Sequence, residues 1–172
     1  MPRTYSLHFA SELNAPVEVV WATVGTMKGV NAELGPWLRM TAPPEASDLR
    51  IEDAPLRTPM FSSWVLLGGL VPIDRHHFML AAVEPGRAFW EESTSWSQTR
   101  WEHRRRVAAR DTSGDTSGDT SGGEGGCVLT DALTFTPRIG ALGPLLKRVI
   151  GAIFRHRHRR LRRRFGELTS LR

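Results

Sequence analysis

The strongest constraint on the fold is an apolar stripe that runs through the C-terminal part of the chain. Its members recur at steps of three and four, which is the spacing along one face of an α-helix about 25 residues long. The stripe comprises Leu142, Leu145, Leu146, Val149, Ile150, Ile153, Phe154, Leu161, Phe165 and Leu168. It continues through the segment richest in arginine, so we predict one long amphipathic helix. The arginines expected mainly on its solvated side are Arg155, Arg159, Arg160, Arg162 and Arg163.

The positive charge of the chain is concentrated in this same helix. Residues 1–138 hold 13 Lys and Arg against 17 Asp and Glu, whereas residues 139–172 hold 10 against one. A run of charge is most simply a solvated face, and contact with anionic lipid or phosphates stays open as an alternative. Nucleic acid is the less favoured partner, because the sequence has no zinc-finger spacing, RNA-binding motif or basic patch interleaved with stacking aromatics.

The composition predicts a single globular domain spanning residues 1–172. The chain is 40% hydrophobic and 24% charged, and 172 residues are enough for one sizeable core. Cys127 is the single cysteine, so no internal disulfide is expected and a reducing compartment is natural. The first residues alternate instead of forming a secretory signal, and no stretch approaches the roughly 18 apolar residues of a membrane span. We therefore expect a cytoplasmic protein.

The N-terminal part of the chain predicts a strand followed by a short helix. Tyr5, Leu7, Phe9 and Leu13 share one parity, which is the pattern of a half-buried strand. The helix follows Pro16, a residue suited to the first helical turn, and is expected to end near Gly25 or Gly29. The segment 35–55 is rich in Pro and turn formers, so we predict a loop there with at most one short strand.

The middle of the chain, from Met60 to Thr136, predicts a meander of antiparallel strands. The turn "EPGR" joins two of its strands, and "DTSGDTSGDTSGGEGG" interrupts the last pair. The repeated sequence buries no apolar area that offsets the entropy of ordering it, so we predict a flexible hairpin loop at 111–126. Its Asp and Gly spacing lacks the EF-hand Glu, which argues against calcium.

Five pieces of sequence, taken in order, resemble the START/SRPBCC helix-grip superfamily of bacterial polyketide cyclase/dehydrase-like and lipid-transfer-like proteins. They are "SELNAPVEVVWATV", "VEPGRAFWEES", "RWEH", "LTDALTF" and "GPLLKRVIGAIFRHRHRRLRRRF". The resemblance covers almost the whole chain and implies an α+β fold; no cofactor is predicted. In that fold a curved antiparallel sheet wraps around one long C-terminal helix, and one or two short helices follow the first strand. A bacterial branch reads Trp-x-His-x-His in one strand, and this chain departs from it at Arg105.

The resemblance also implies a ligand cavity between the sheet and the long helix, and strand parity proposes its lining. Residues of like parity on each strand, together with the inner face of the helix, give one candidate set. The set is Trp64, Phe78, Leu80, Phe89, Glu91, Trp101, His103, Arg105, Leu133, Ile150, Phe154 and Arg157. Large aromatic residues either line such a cavity or fill it.

His103 and Asp131 are the candidate catalytic residues, because both point inward from strands that are consecutive in the chain. A carboxylate that orients an imidazole is the arrangement a general base needs. The same pair also serves simply to satisfy two buried polar groups. Glu91 is expected to pair with Arg105 or Arg157.

No metal site is predicted, because His76 with His77 and His156 with His158 lack chelating spacing.

These observations leave several functions open. The leading hypothesis is the binding of a small hydrophobic or amphipathic molecule. The enzymatic alternative is a cyclase or dehydrase that acts on a polyketide-like carbonyl compound through His103 and Asp131. A third is docking on anionic membrane or nucleic acid through the Arg-rich helix face, and a fourth is a scaffold whose cavity is filled by Trp and Phe. The sequence does not set the oligomeric state.

Overall fold

Seven antiparallel strands form one sheet in the computed structural model, which describes residues 3–47, 49–110 and 125–167. The strands are β1 (Tyr5–Leu13), β2 (Leu38–Met40), β3 (Pro59–Leu67), β4 (Val71–Glu84), β5 (Ala88–Ser95), β6 (Gln98–Ala109) and β7 (Cys127–Pro137). Their order across the sheet is β1-β7-β6-β5-β4-β3-β2. Strands β3 to β7 pair in chain order, which confirms the predicted meander.

One long helix packs against this sheet, and three shorter helices lie between the first and third strands. The helices are α1 (Val17–Val24), α2 (Met27–Leu34), α3 (Pro44–Ser47) and α4 (Gly143–Phe165). Helix α4 contacts β1, β7 and α2. The predicted α+β class, with a sheet wrapped around one C-terminal helix, is therefore confirmed.

Local sequence explains where the helices near the cavity begin and end. The Thr26 hydroxyl accepts a hydrogen bond from the Gly29 amide at 3.0 Å and caps α2. Pro144 lies in the first turn of α4, where its missing N–H has no cost. The last turn of α4 carries three arginines that complement the negative end of the helix dipole, and the helix stops at Gly166, whose φ is 78°.

The buried face of α4 is narrower than the predicted stripe. Leu145 and Val149 are 58% and 44% exposed, and Leu142 precedes the helix and is 44% exposed. Leu145 is one residue ahead of Leu146, so it lies about 100° around the helix from the inward face. The prediction that these three are buried was wrong.

Two other segments depart from the sequence prediction or lie outside the described residues. The segment predicted as a loop with one short strand holds β2, and it also holds α3 and a 3₁₀ turn over Ile51–Asp53. Most of the predicted loop at 111–126, from 111 to 124, lies outside the described residues, as does Leu168. The strands that this loop joins do pair, with Ala109 opposite Cys127.

Two apolar clusters form the core, and a polar layer separates them. The first consists of Leu13, Val20, Trp21, Val24, Val107, Cys127, Leu129 and Leu161. The second consists of Tyr5, Leu133, Phe135, Ile150 and Phe154. On β6, β7 and α4 the residues between the two clusters are charged or imidazole side chains that are buried. The inward-facing positions of β6 and β7 therefore hold apolar residues in the two clusters and polar residues between them.

Candidate functional site

A cavity of about 300 Å³ lies between the concave face of the sheet, helix α4 and the junction of α1 with α2. Ten of the twelve residues predicted to line it do so: Phe78, Leu80, Phe89, Glu91, Trp101, His103, Arg105, Ile150, Phe154 and Arg157. Tryptophan side chains do not fill this cavity. Among Trp64, Trp90, Trp96 and Trp101, only Trp101 belongs to its wall.

Two predicted lining residues lie elsewhere. Strand β3 faces the cavity through Phe61 and Val65, which have the opposite parity to Trp64. Trp64 instead packs edge-on against Trp96, with ring centroids 4.8 Å apart, and beside the Arg75 guanidinium. These positions contradict the prediction for Trp64.

Leu133 is the second residue that was placed wrongly. It is 1% exposed and belongs to the apolar cluster under α4, with Phe135 and Ile150. Strand β7 lies under α4, so the helix covers the inward side chain of Leu133 and separates it from the cavity.

Part of the wall comes from short segments for which no lining residues were predicted. Helix α2 contributes Val30 and Leu34, and strand β2 contributes Leu38 and Met40. The sequence contained little signal for these positions, because parity arguments do not reach short helices and three-residue strands.

Eight buried side chains form a network that we call the ionic cluster. They are Glu33, His76, Glu91, His103, Arg105, Asp131, Arg157 and His158. Five of them also line the cavity: His76, Glu91, His103, Arg105 and Arg157. Glu33 lies behind Arg105 and Arg157, outside the cavity wall. The cluster thus forms a large part of the polar surface of a mainly apolar cavity.

Asp131 lies at the centre of the cluster and accepts four hydrogen bonds. Arg105 donates from Nε and Nη2, each at 2.8 Å, and His103 Nε2 and His158 Nε2 lie at 2.7 and 3.0 Å. Burial alone would raise the pKa of Asp131, but the charge of Arg105 and the His103 contact outweigh it and hold that pKa well below its usual range. His103 and Asp131 therefore meet, although Asp131 is shared among three partners.

Arg105 and Arg157 both bind Glu33, which sequence reasoning missed. Arg105 Nη1 and Nη2 lie 2.8 and 3.0 Å from the two Glu33 oxygens, and Arg157 Nε donates to Oε2 at 2.8 Å. Burial raises the pKa of Glu33, but the two guanidinium charges outweigh that effect and lower it. The expectation that Glu91 pairs with Arg105 or Arg157 was wrong.

Glu91 binds two histidines instead. His76 Nε2 lies 2.5 Å from Glu91 Oε1, the Ser93 hydroxyl donates to the same oxygen at 2.6 Å, and His103 Nδ1 lies 3.6 Å from Oε2. Burial opposes ionisation of Glu91, yet the contacts with His76 and His103 lower its pKa. His76 shares its parity with Phe78 and Leu80 on β4, and that pattern was the signal by which it could have been found.

The cluster presents carboxylate-bound imidazoles to the cavity. Such groups bind polar atoms of a ligand and are suited to moving a proton, once a reactive group lies within hydrogen-bond reach. In the described ranges, no group of three or more His, Cys, Asp or Glu side chains has an arrangement that would hold a metal ion.

The outer face of α4 is basic, as predicted. Arg155, Arg159, Arg160 and Arg163 are exposed, and Arg162 is partly buried, where it donates to the Ser11 hydroxyl at 2.9 Å. Within residues 3–47, 49–110 and 125–167, no helix has the length and apolar character needed to cross a membrane.

Solved structures share this fold at low sequence identity. A START superfamily protein from Mycobacterium smegmatis is 12% identical, with a TM-score of 0.59 over 95% of this chain and 99% of that one. Protein CV1439 from Chromobacterium violaceum is 14% identical, with a TM-score of 0.60 over 93% and 95%. DynU16, a protein in the dynemicin biosynthetic locus, is 17% identical, with a TM-score of 0.52 over 94% of this chain and 48% of that chain.

These similarities establish the fold as a START/SRPBCC-like helix-grip. No curated protein matches the sequence. The family described as "Domain of unknown function (DUF8410)" matches residues 11–165, and the chain belongs to that family.

Proposed function

We propose that this protein binds a small amphipathic molecule in the cavity between the sheet and α4. The observation that supports this most directly is a cavity of about 300 Å³ with apolar walls and one polar side. That volume lies at the lower end of the range of small-molecule sites, and a few convergent polar groups in an apolar pocket are typical of them. The apolar part of the ligand would lie against α2, β3 and α4, and its polar part would lie against the polar side chains of the wall, among them Gln98 and the members of the ionic cluster that line it.

Binding of the fluorescent probe N-phenyl-1-naphthylamine tests this proposal. We expect the wild-type chain to enhance its fluorescence saturably. Ile153→Trp replaces an aliphatic side chain of the cavity wall with a bulky indole ring that occupies part of the cavity. We therefore expect it to weaken probe binding at least about tenfold. Leu145→Trp is the matched control, because Leu145 lies on the same helix, is exposed and does not line the cavity.

Two results would contradict the proposal. One is the absence of probe binding to the wild-type chain, and the other is equal weakening by Ile153→Trp and Leu145→Trp. If the probe binds as expected, native mass spectrometry of the chain purified from its own host would identify the molecule that it retains. The cytoplasmic location stays a prediction.

The enzymatic alternative, a cyclase or dehydrase that acts through His103 and Asp131, receives less support. Arg105 takes two of the hydrogen bonds that Asp131 accepts, and that contact favours a structural role for the carboxylate. Proton transfer from a ligand would have to involve His103 Nδ1, since Nε2 is held by Asp131. The catalytic roles of His103 and Asp131 therefore stay predictions.

A second candidate function is contact with an anionic membrane surface. The observation that favours it is the outer side of α4, where exposed Leu145 precedes exposed Arg155, Arg159 and Arg163. Apolar and basic groups on one helix face are typical of interfacial contact. We expect sedimentation with vesicles containing phosphatidylserine to weaken with salt and to be lost when the three arginines are replaced by Glu. Binding that salt leaves unchanged would contradict this function.

A further inference from the structure

Two residues of the cavity wall carry buried polar atoms that lack a partner. Gln98 Oε1, a hydrogen-bond acceptor, and Trp101 Nε1–H, a donor, are shielded from solvent. Neither forms a hydrogen bond with any group in residues 3–47, 49–110 or 125–167. Both residues line the cavity, and Gln98 is 6% exposed. A buried donor or acceptor without a partner is destabilising, and both of these residues border the space in which a ligand would lie.

An irregularity in β6 brings Gln98 and Trp101 to the same face. Residues three apart on a regular strand point to opposite faces. The pairing of β6 with β7 shifts register between Gln98 and Arg100, so both Gln98 and Trp101 face the cavity, with His103 and Arg105 following in alternation. Bulges that redirect a side chain occur often next to binding sites.

The charged groups at this end of the cavity already have partners. The Trp101 ring lies edge-on to His76, with centroids 5.9 Å apart, and His76 is bound to Glu91. Asp74 accepts hydrogen bonds from the Ser95 and Ser97 hydroxyls at 2.9 and 2.6 Å. The two unpaired atoms are neutral, one donor and one acceptor, so they complement a neutral group that both accepts and donates.

We propose that Trp101 and Gln98 bind a hydroxyl group of the ligand. Trp101 Nε1–H donates to the hydroxyl oxygen, and the hydroxyl hydrogen is donated to Gln98 Oε1. This inference rests on the proposed function and deepens it, because it assigns the ligand to the class of small apolar alcohols or phenols. The hydroxyl end lies near the turn between β5 and β6, and the apolar body extends toward α2 and α4.

Three naphthalene derivatives of similar size test this assignment by isothermal titration calorimetry. Naphthalene has no hydrogen-bonding group, 2-methoxynaphthalene accepts only, and 2-naphthol accepts and donates. We expect 2-naphthol to bind the wild-type chain at least about tenfold more tightly than naphthalene, with 2-methoxynaphthalene between them. The naphthalene affinity isolates the apolar contribution of the cavity.

Single variants separate the two hydrogen bonds. Trp101→Phe removes the donor, so it should abolish the preference for 2-methoxynaphthalene over naphthalene. Gln98→Met keeps the length of the side chain and removes the acceptor, so it should abolish the preference for 2-naphthol over 2-methoxynaphthalene. Trp90→Phe is the matched control: Trp90 Nε1 is also buried without a partner, but Trp90 packs beside Arg104 and does not line the cavity. It should leave all three affinities unchanged.

The possible failures are distinguishable. Tight binding of all three compounds with equal affinity would overturn the hydroxyl assignment and leave the proposed function standing, as expected if an ordered water satisfies both atoms. Binding of none of them would overturn both. If Trp101→Phe fails to fold, Gln98→Met alone decides, since an unchanged preference of that variant for 2-naphthol contradicts the assignment.

Discussion

The guanidinium of Arg105 binds both carboxylate oxygens of Glu33, at 2.8 and 3.0 Å, although 72 positions separate the two residues in the chain. Arg105 lies on β6 and Glu33 on α2, so this ion pair joins the sheet to a short helix that forms part of the cavity wall. Both side chains are buried, and Arg157 of α4 adds a third element to the contact. The polar layer between the two apolar clusters therefore holds the sheet, α2 and α4 together.

Replacing Glu33 tests the energetic importance of this junction. Glu33→Gln leaves two buried guanidinium groups without their shared carboxylate, so we expect it to lower the free energy of unfolding by about 3–5 kcal/mol. Urea unfolding followed by circular dichroism measures the change. The control is Glu84→Gln, which removes the exposed ion pair with Arg106 and should cost less than about 1 kcal/mol. Equal effects of the two variants would contradict a structural role for Glu33.

The three carboxylates of the cluster predict a loss of stability in acid. The pKa values of Glu33, Glu91 and Asp131 lie below their ordinary values, which are 4.5 for Glu and 3.8 for Asp. Below those ordinary values the unfolded chain binds more protons than the folded chain. The stabilisation is thus complete above about pH 5 and is lost as the pH falls through the folded-state values. We expect the Tm to fall steadily from pH 5 to pH 3, and a flat Tm in that range would contradict this account.

Because α1 packs closely against α2, we expect that position 29 accepts no side chain larger than that of glycine. A methyl group there would lie 1.8 Å from the Thr23 carbonyl oxygen, so the backbone of α1 or α2 would have to shift. We expect Gly29→Ala to destabilise the fold by several kcal/mol, on the order of 3. The control is Gly151→Ala on α4, where the nearest group is the mobile end of Arg155 at 3.3 Å. Thermal unfolding of both variants checks this, and a stable Gly29→Ala protein would contradict the packing.

The single thiol is expected to be unreactive in the folded chain. Cys127 is fully buried at the start of β7, and burial, with a smaller contribution from Glu18, raises the pKa of its thiol to about 11. At pH 8 we expect 5,5′-dithiobis(2-nitrobenzoic acid) to label it only in denaturant. Rapid labelling of the folded protein would show that the interface between β6 and β7 opens at this point.

Sequence parity predicted much of the fold and part of the site. Alternation on β6 and β7 placed His103 and Asp131 inward, and the structure joins them at 2.7 Å. The order of strand, short helix, meander and long helix was enough to predict the helix-grip arrangement. Parity succeeded there because register in a sheet with one buried face is strongly specified.

The parts that sequence reasoning missed depend on tertiary contacts. Glu33 lies on a short helix whose mixed composition is ordinary for an exposed surface, and only the approach of Arg105 and Arg157 explains its burial. Trp64 was placed wrongly because β3 carries apolar residues on both parities, so alternation alone did not show which face of the strand is inward. The register shift in β6 after Gln98 also has no signal in the residue pattern.

The most direct test of a ligand site between sheet and helix is the NMR spectrum of the indole N–H groups during titration with N-phenyl-1-naphthylamine. The chain has six tryptophans, of which Trp101 lines the cavity while Trp37 and Trp96 are exposed and lie outside it. We predict that the Trp101 signal shifts saturably and that the signals of Trp37 and Trp96 stay in place. Shifts of Trp37 or Trp96 with an unchanged Trp101 signal would contradict binding in this cavity.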